Sequence, residues 1–142
     1  MGLLYSPVGG ATGPQGPQGP AGLSAPDNFI LVLTEGNAFL GTNLATVEYF
    51  PYDATIQELI LVSNPAPTGA NLVVDLNVNN SSILSTKISI DATETTSITA
   101  ATPYVLSSTS IPKGSRLSAD IDQVGATVRG ANVQLIVNCV RA

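Results

Sequence analysis

Between residues 10 and 24 the chain places glycine at every third position: Gly10-Ala11-Thr12, Gly13-Pro14-Gln15, Gly16-Pro17-Gln18, Gly19-Pro20-Ala21, Gly22-Leu23-Ser24. Three polyproline-II chains wind together only if glycine, which has no Cβ, occupies the crowded axis at each third residue. Proline fills the second place of three triplets and presets the extended backbone. A flexible Gly/Pro linker has no need of this phase. The pattern therefore predicts a collagen-like triple helix with Gly10, Gly13, Gly16, Gly19 and Gly22 on its axis, and with it a homotrimer. At about 3.1 Å per residue the five triplets span roughly 45 Å. So short a rod does not hold by itself, because ordering three separate chains costs more entropy than a few interchain hydrogen bonds return. A folded trimer beside it has to supply a high effective concentration. The third triplet places hold Thr, Gln, Ala and Ser, so winding does not depend on hydroxyproline.

Ahead of the triplets, residues 1–9 read Met-Gly-Leu-Leu-Tyr-Ser-Pro-Val-Gly. Three copies of Leu3, Leu4 and Tyr5 at one end of a rod would form a sticky patch on a free protein. The expectation is an anchor peptide that docks into a larger assembly, set against a frayed terminus. The first six residues also fit the short M-G-x-x-x-S acylation pattern, which is common by chance. No basic n-region with an apolar h-region precedes the triplets, and no apolar run is long enough to span a bilayer, so neither secretion by signal peptide nor membrane insertion is expected.

From residue 25 to 142 the composition turns to Val, Ile, Leu, Thr, Ser and Asn, and two-residue alternation replaces any helical period. Leu72, Val74, Leu76 and Val78 alternate with Val73, Asp75 and Asn77; Leu117, Ala119 and Ile121 alternate with Ser118, Asp120 and Asp122. Val133, Leu135, Val137 and Cys139 alternate with Gln134, Ile136 and Asn138. Further strands are expected over 28–34, 46–50, 56–63, 83–90, 95–99 and 104–107. Turn signals separate them at 35–37, 64–69, Asn79-Asn80, 112–114 and Arg129-Gly130. The expected fold is all-β, an antiparallel sandwich or jelly roll following the short collagen-like segment. About 115 residues suffice for one such core. Ile136 and Val140 fall opposite Leu135 and Val137, so the last strand is apolar on both faces; a trimer axis would cover the second, the alternative being a strand buried on both faces within a monomer.

The 142-residue chain has no His, no Trp, a single Cys and a net charge of −5. Ser-His-Asp and Cys-His catalysis therefore have no base, and His or multi-Cys metal sites have no ligands. All five bases lie after residue 86 and form no stripe that could follow a row of phosphates, so nucleic-acid binding is not expected. Asp120 and Asp122, with Asp75 or Asp91, could offer oxygens to a cation, but no calcium-loop spacing is present and a solvated acidic face is the expected reading. No cofactor, metal or catalytic residue is expected. The run Tyr49-Phe50-Pro51-Tyr52 and the Ser/Thr-rich stretch with Tyr104 are the candidate surface contacts, Tyr49, Tyr52 and Tyr104 being the rings a glycan could meet; core packing is the competing reading. Cys139 continues an inward alternation and reads as a small buried hydrophobe.

The segment Ile111-Pro112-Lys113-Gly114-Ser115-Arg116-Leu117-Ser118-Ala119-Asp120-Ile121, its continuation to Val137, and the earlier Pro67-Thr68-Gly69-Ala70-Asn71-Leu72-Val73-Val74-Asp75-Leu76 resemble small β-sandwich domains of tailed-bacteriophage virion proteins. The likeness covers roughly residues 55–140 and is one of strands and glycine turns. Such domains occur in fibres, spikes and head-decoration proteins, often trimeric and beside collagen-like triplets. The resemblance implies a non-enzymatic virion structural role, with other capsid or tail proteins as partners. Two alternatives stand beside it: a host-receptor module whose tip binds a surface glycan, and a bacterial or spore-surface collagen-like protein.

Overall fold

The computed structural model describes residues 26–142. The expected anchor peptide (Leu3, Leu4, Tyr5) and the triplet glycines Gly10, Gly13, Gly16, Gly19 and Gly22 lie outside the described residues. In chain order the strands are β1 Pro26–Val32, β2 Gly41–Val47, β3 Ala54–Val62, β4 Leu72–Val78, β5 Ser81–Ser82, β6 Leu84–Thr86, β7 Ile88–Ile90, β8 Val105–Leu106, β9 Ser110–Ile111, β10 Leu117–Gln123 and β11 Gln134–Arg141. All pairings are antiparallel. One sheet has the order β1-β11-β3-β9 and will be called the β11 sheet; the other, β2-β10-β4-β5 with β7 also on β4, will be called the β10 sheet. β6 and β8 form a small separate ribbon. The chain crosses between the two large sheets at β1 to β2, β2 to β3, β3 to β4, β9 to β10 and β10 to β11.

The alternating residues close this architecture. Leu72, Val74 and Leu76 of β4 and Leu117, Ala119 and Ile121 of β10 are all buried, as are Leu135, Val137 and Cys139 of β11. On β3 the phase changes midway: Ala54 and Ile56 are buried, then Leu59 and Leu61. The pairing with β11 explains it, since Asn138 faces Glu58 while Cys139 faces Ile56, which leaves Gln57 as an extra residue. A bulge of this kind shifts the side-chain period by one and returns both halves of the strand to the core. The turn expected at Asn79-Asn80 is present. Both residues take left-handed backbone, with φ of 52° and 66°, the paired conformation that a two-residue hairpin between β4 and β5 needs.

Three expectations are corrected. The second strand runs over Gly41–Val47 rather than 46–50, because Phe50 turns inward to the core and ends the edge. The expected strand 83–90 is divided around Lys87, with β6 joining β8 and β7 joining β4. Residues 95–99 give a 3-10 turn, Ser97–Thr99, in place of a strand. Thr96 caps it by accepting from the Ile98 N–H, and Ser97 Oγ accepts from the Leu61 N–H at 2.9 Å. Hydroxyl side chains here take up backbone groups that a ladder would otherwise use.

Two glycines separate crowding from freedom. A Cβ at Gly125 would stand 1.8 Å from the Val128 carbonyl oxygen and 2.8 Å from the Thr68 nitrogen, both backbone atoms that cannot turn aside. Around Gly36 nothing lies within 4 Å. Gly125→Ala is expected to destabilise the domain by about 1–3 kcal/mol. Gly36→Ala is expected to stabilise it by about 0.5 kcal/mol through the unfolded chain. Denaturant midpoints of the two variants, read beside the parent, check both signs.

Candidate functional site

The outward positions of the two sheets differ in chemistry. On the β10 sheet they are polar and matched within the chain. Asp120 stands opposite Asp75, accepts from the Asn43 N–H at 2.6 Å and from Asn77 Nδ2 at 3.0 Å. Asp75 accepts from Ser82 Oγ at 2.6 Å. Lys87 reaches Asp122 at 2.6 Å and Asp75 at 3.9 Å, and the Asp122 contact in particular raises its pKa. Among the described residues no group of three or more His, Cys, Asp or Glu side chains is placed to hold a metal ion.

On the β11 sheet the outward rows are largely aliphatic. Ile30, Ile136 and Ile60 stand side by side on β1, β11 and β3. The next row is Val32, Gln134 and Val62; on the other side comes Asn28, Asn138 and Glu58. Ile30 is 52% exposed and Val32 42%, on the strand nearest the open edge. The two edges of this sheet are treated differently. Along β3 the N–H groups of Leu59, Leu61 and Ser63 are met by Tyr104 Oη, Ser97 Oγ and the Thr95 carbonyl, at 2.9, 2.9 and 3.0 Å. Along β1 no strand among the described residues pairs with the outer edge.

The two ends of the β11 sheet carry different groups. At the Pro26 end, where residues 1–25 join the domain, Tyr52 donates its hydroxyl to Asp27 and lies under the Arg141 guanidinium, 4.1 Å from the ring centre. Phe50 packs on both Tyr52 and Phe29, at 5.0 and 5.3 Å between ring centres. At the Val32 end a shallow cleft of about 500 Å³ is lined by Val62, Ser63, Asn64, Thr95, Thr96, Asn132 and Gln134. No charged side chain lines it. Asn132 donates from Nδ2 to the Asn64 carbonyl at 2.7 Å and takes a left-handed φ of 51°, while the side-chain amides of Asn64 and Gln134 make no hydrogen bond among the described residues.

The three candidate tyrosines are not brought together. Tyr104 is half-buried and holds the edge of β3. Tyr52 is half-buried against the core at the Pro26 end. Tyr49 is 63% exposed and lies over the Gly114 backbone. Cys139 is buried and free, as its alternation implied. Of the exposed aliphatic row the sequence singled out only Ile136, on the second apolar face of the last strand; its neighbours Ile30 and Ile60 and the amide-lined cleft were not singled out. The available signal was the uninterrupted apolar run Ile30 to Leu33, which in an antiparallel strand must load both faces. Asn64 and Asn132 gave only turn signals. No helix among the described residues is long and apolar enough to cross a membrane. Comparison with protein-family models, with curated proteins and with solved structures finds no match to this chain.

The pair at the Pro26 end has a pH signature. The Tyr52 hydroxyl first, then the Asn28 N–H and the Arg141 charge, hold the Asp27 carboxyl below its usual value. The same hydrogen bond, with desolvation, pushes the Tyr52 phenol above its own. Asp27 therefore contributes stability that is present above about pH 4 and is lost as pH falls through its lowered folded value. Tyr52 contributes stability that is present below about pH 10 and is lost as pH rises through its raised one. In Tyr52→Phe the Asp27 titration, followed by carboxyl NMR, is expected to move up toward the ordinary range. The stability difference between parent and variant is expected to close below the carboxylate range.

Proposed function

We propose that this chain is a non-enzymatic structural protein of a tailed-bacteriophage particle. Three copies wind a short collagen-like rod through residues 10–24, residues 1–9 fasten the rod to a capsid or tail protein, and three β domains project from it. The observation that carries the reading is the strict glycine phase of 10–24, leading within two residues of Ser24 into β1, the strand with both an open edge and an aliphatic outer face. Both features call for further copies of the chain. The order of the main strands supports assigning the domain to the jelly rolls. Setting aside the β6–β8 ribbon and counting β5 and β7 as one strand position gives eight positions, ordered 1-8-3-6 in one sheet and 2-7-4-5 in the other, and this wrapping is common in viral capsid and lectin domains. The particle itself is assigned on the resemblance of 67–76 and 111–137 to phage virion domains. The work done is mechanical: spacing by a rod, and strength by multiplicity.

Light scattering of the full chain at low micromolar concentration is expected to give three times 14.5 kDa. Gly16→Ala is expected to abolish the triple-helical melting transition, because a Cβ does not fit the axis. A monomer in solution, or an unchanged rod transition in Gly16→Ala, would overturn the trimeric rod. Labelled antibody on purified particles would then place the protein on head or tail.

A second reading, binding of a host surface glycan, is favoured by the cleft at the Val32 end. It lies at the end of the β11 sheet away from Pro26, it is uncharged, and it is lined by amides and hydroxyls, which can both donate to and accept from neutral sugar hydroxyls. On this reading Gln134→Ala and Asn64→Ala lower binding to host cells or to an immobilised neutral oligosaccharide panel while the oligomeric mass stays the same. Unchanged binding in both variants would remove the cleft from consideration.

A further inference from the structure

We infer that the outer face and open edge of β1, with Ile136 and Ile60 behind it, form the surface through which copies of this chain pack around a three-fold axis. The inference rests on the trimeric reading above and deepens it by naming the surface.

Three observations converge on β1. The outward row Ile30, Ile136, Ile60 and its neighbours Val32 and Val62 put five aliphatic side chains on one face, with Glu58 as the nearest charge in the adjoining row. The outer face of the β10 sheet, by contrast, carries Asp75, Asp120, Asp122 and Lys87, already paired within the chain, and offers a second copy little to bury. The β11 sheet is sealed along β3 by Thr95, Ser97 and Tyr104, which leaves β1 as its open side. An unprotected edge strand with an apolar face is the kind of surface that associates unless covered.

Chain continuity selects the occupant. The glycine triplets end at Ser24 and β1 begins at Pro26. Two residues span at most about 7 Å, so three chains that share an axis through residue 24 bring three copies of Pro26 close to that axis. β1 then runs about 20 Å from the Pro26 end. In a three-fold assembly each residue near the axis meets its own symmetry copies, so Ile30 meets Ile30 and Val32 meets Val32. Five aliphatic side chains make a weak interface between free molecules. Between domains tethered by a common rod the effective concentration is on the order of millimolar, and a small face then suffices. Support runs both ways: the rod holds the domains together and the packed domains hold the rod wound.

The test uses the full chain and two substitutions at Ile30, which is half exposed, with Thr46 on the outer face of the β10 sheet as the control position. Ile30→Glu is expected to raise the trimer dissociation constant at least tenfold by analytical ultracentrifugation, and to lower the rod's melting temperature with it. Thr46→Glu is expected to change neither. Ile30→Cys, oxidised with copper phenanthroline, is expected to give disulfide-linked dimers of the chain, since Cα atoms within about 7 Å can be bridged. Thr46→Cys is expected to give none. The native Cys139 is buried and does not compete. A trimeric parent whose Ile30→Glu variant dissociates no more readily, and whose Ile30→Cys variant does not cross-link, overturns this surface and leaves the trimeric reading standing. A monomeric parent overturns both. If Ile30→Glu fails to fold, the cross-linking of Ile30→Cys decides alone.

Discussion

β11 is the strand on which the rest of the domain depends. It lies between β1 and β3, so the strands nearest the two ends of the described chain are neighbours, with Pro26 opposite Val140 and Val32 opposite Gln134. Its inner side chains, Leu135, Val137 and Cys139, are buried in the core. Its register with β3 contains the bulge at Gln57 that keeps the whole of β3 facing inward. β1 has no other strand partner among the described residues, so its position and the face it presents exist only once β11 has docked. Pairings this distant in sequence make loop closure the dominant cost and place such domains among the slower folders. The face of β1 is therefore complete only after the last strand has been added.

The polar groups of the two sheets are distributed to match. Where carboxylates crowd, as at Asp75 and Asp120, hydroxyl and amide partners and Lys87 are supplied locally. Leaving a buried carboxylate unmatched would cost more than the pairing returns, so this face is complete in one copy. The aliphatic rows on the β11 sheet have no such local completion. Each domain thus has one outer face that water satisfies and one that water does not.

How far this was legible varies with how each element is held. β4, β10 and β11 are central strands with one regular inward set, and their alternation reads directly from the sequence. The Asn79-Asn80 turn was equally legible, because few residues accept two left-handed conformations in succession. β2 was misplaced because its outward Thr42, Asn43 and Thr46 and its half-buried Leu44 and Ala45 give an edge strand no strong period. The segment 95–99 is rich in β-branched residues that suit a strand, yet its hydroxyls and the edge of β3 draw it into a turn, an influence from elsewhere in the fold that local pattern does not carry. The bulge at Gln57 is invisible for the same reason. Of the candidate contacts, Tyr52 and Tyr104 were placed by type alone; their hydroxyls are committed to Asp27 and Leu59, which only the folded arrangement reveals. The Val32-end cleft gathers residues from three separated segments, and no single stretch announces it.

The seal along β3 reaches beyond the single molecule. A sheet with two open edges grows by adding strands at both, and growth of that kind has no natural end. Here Tyr104, Ser97 and Thr95 occupy one edge with bonds that an incoming strand would have to displace. On this sheet only the β1 side remains open to an incoming strand, so the β11 sheet is capped on its other side by the protein's own loop. A sheet that can take a strand on one side alone pairs once and stops, and in the β11 sheet that limit is set by three side-chain and backbone oxygens.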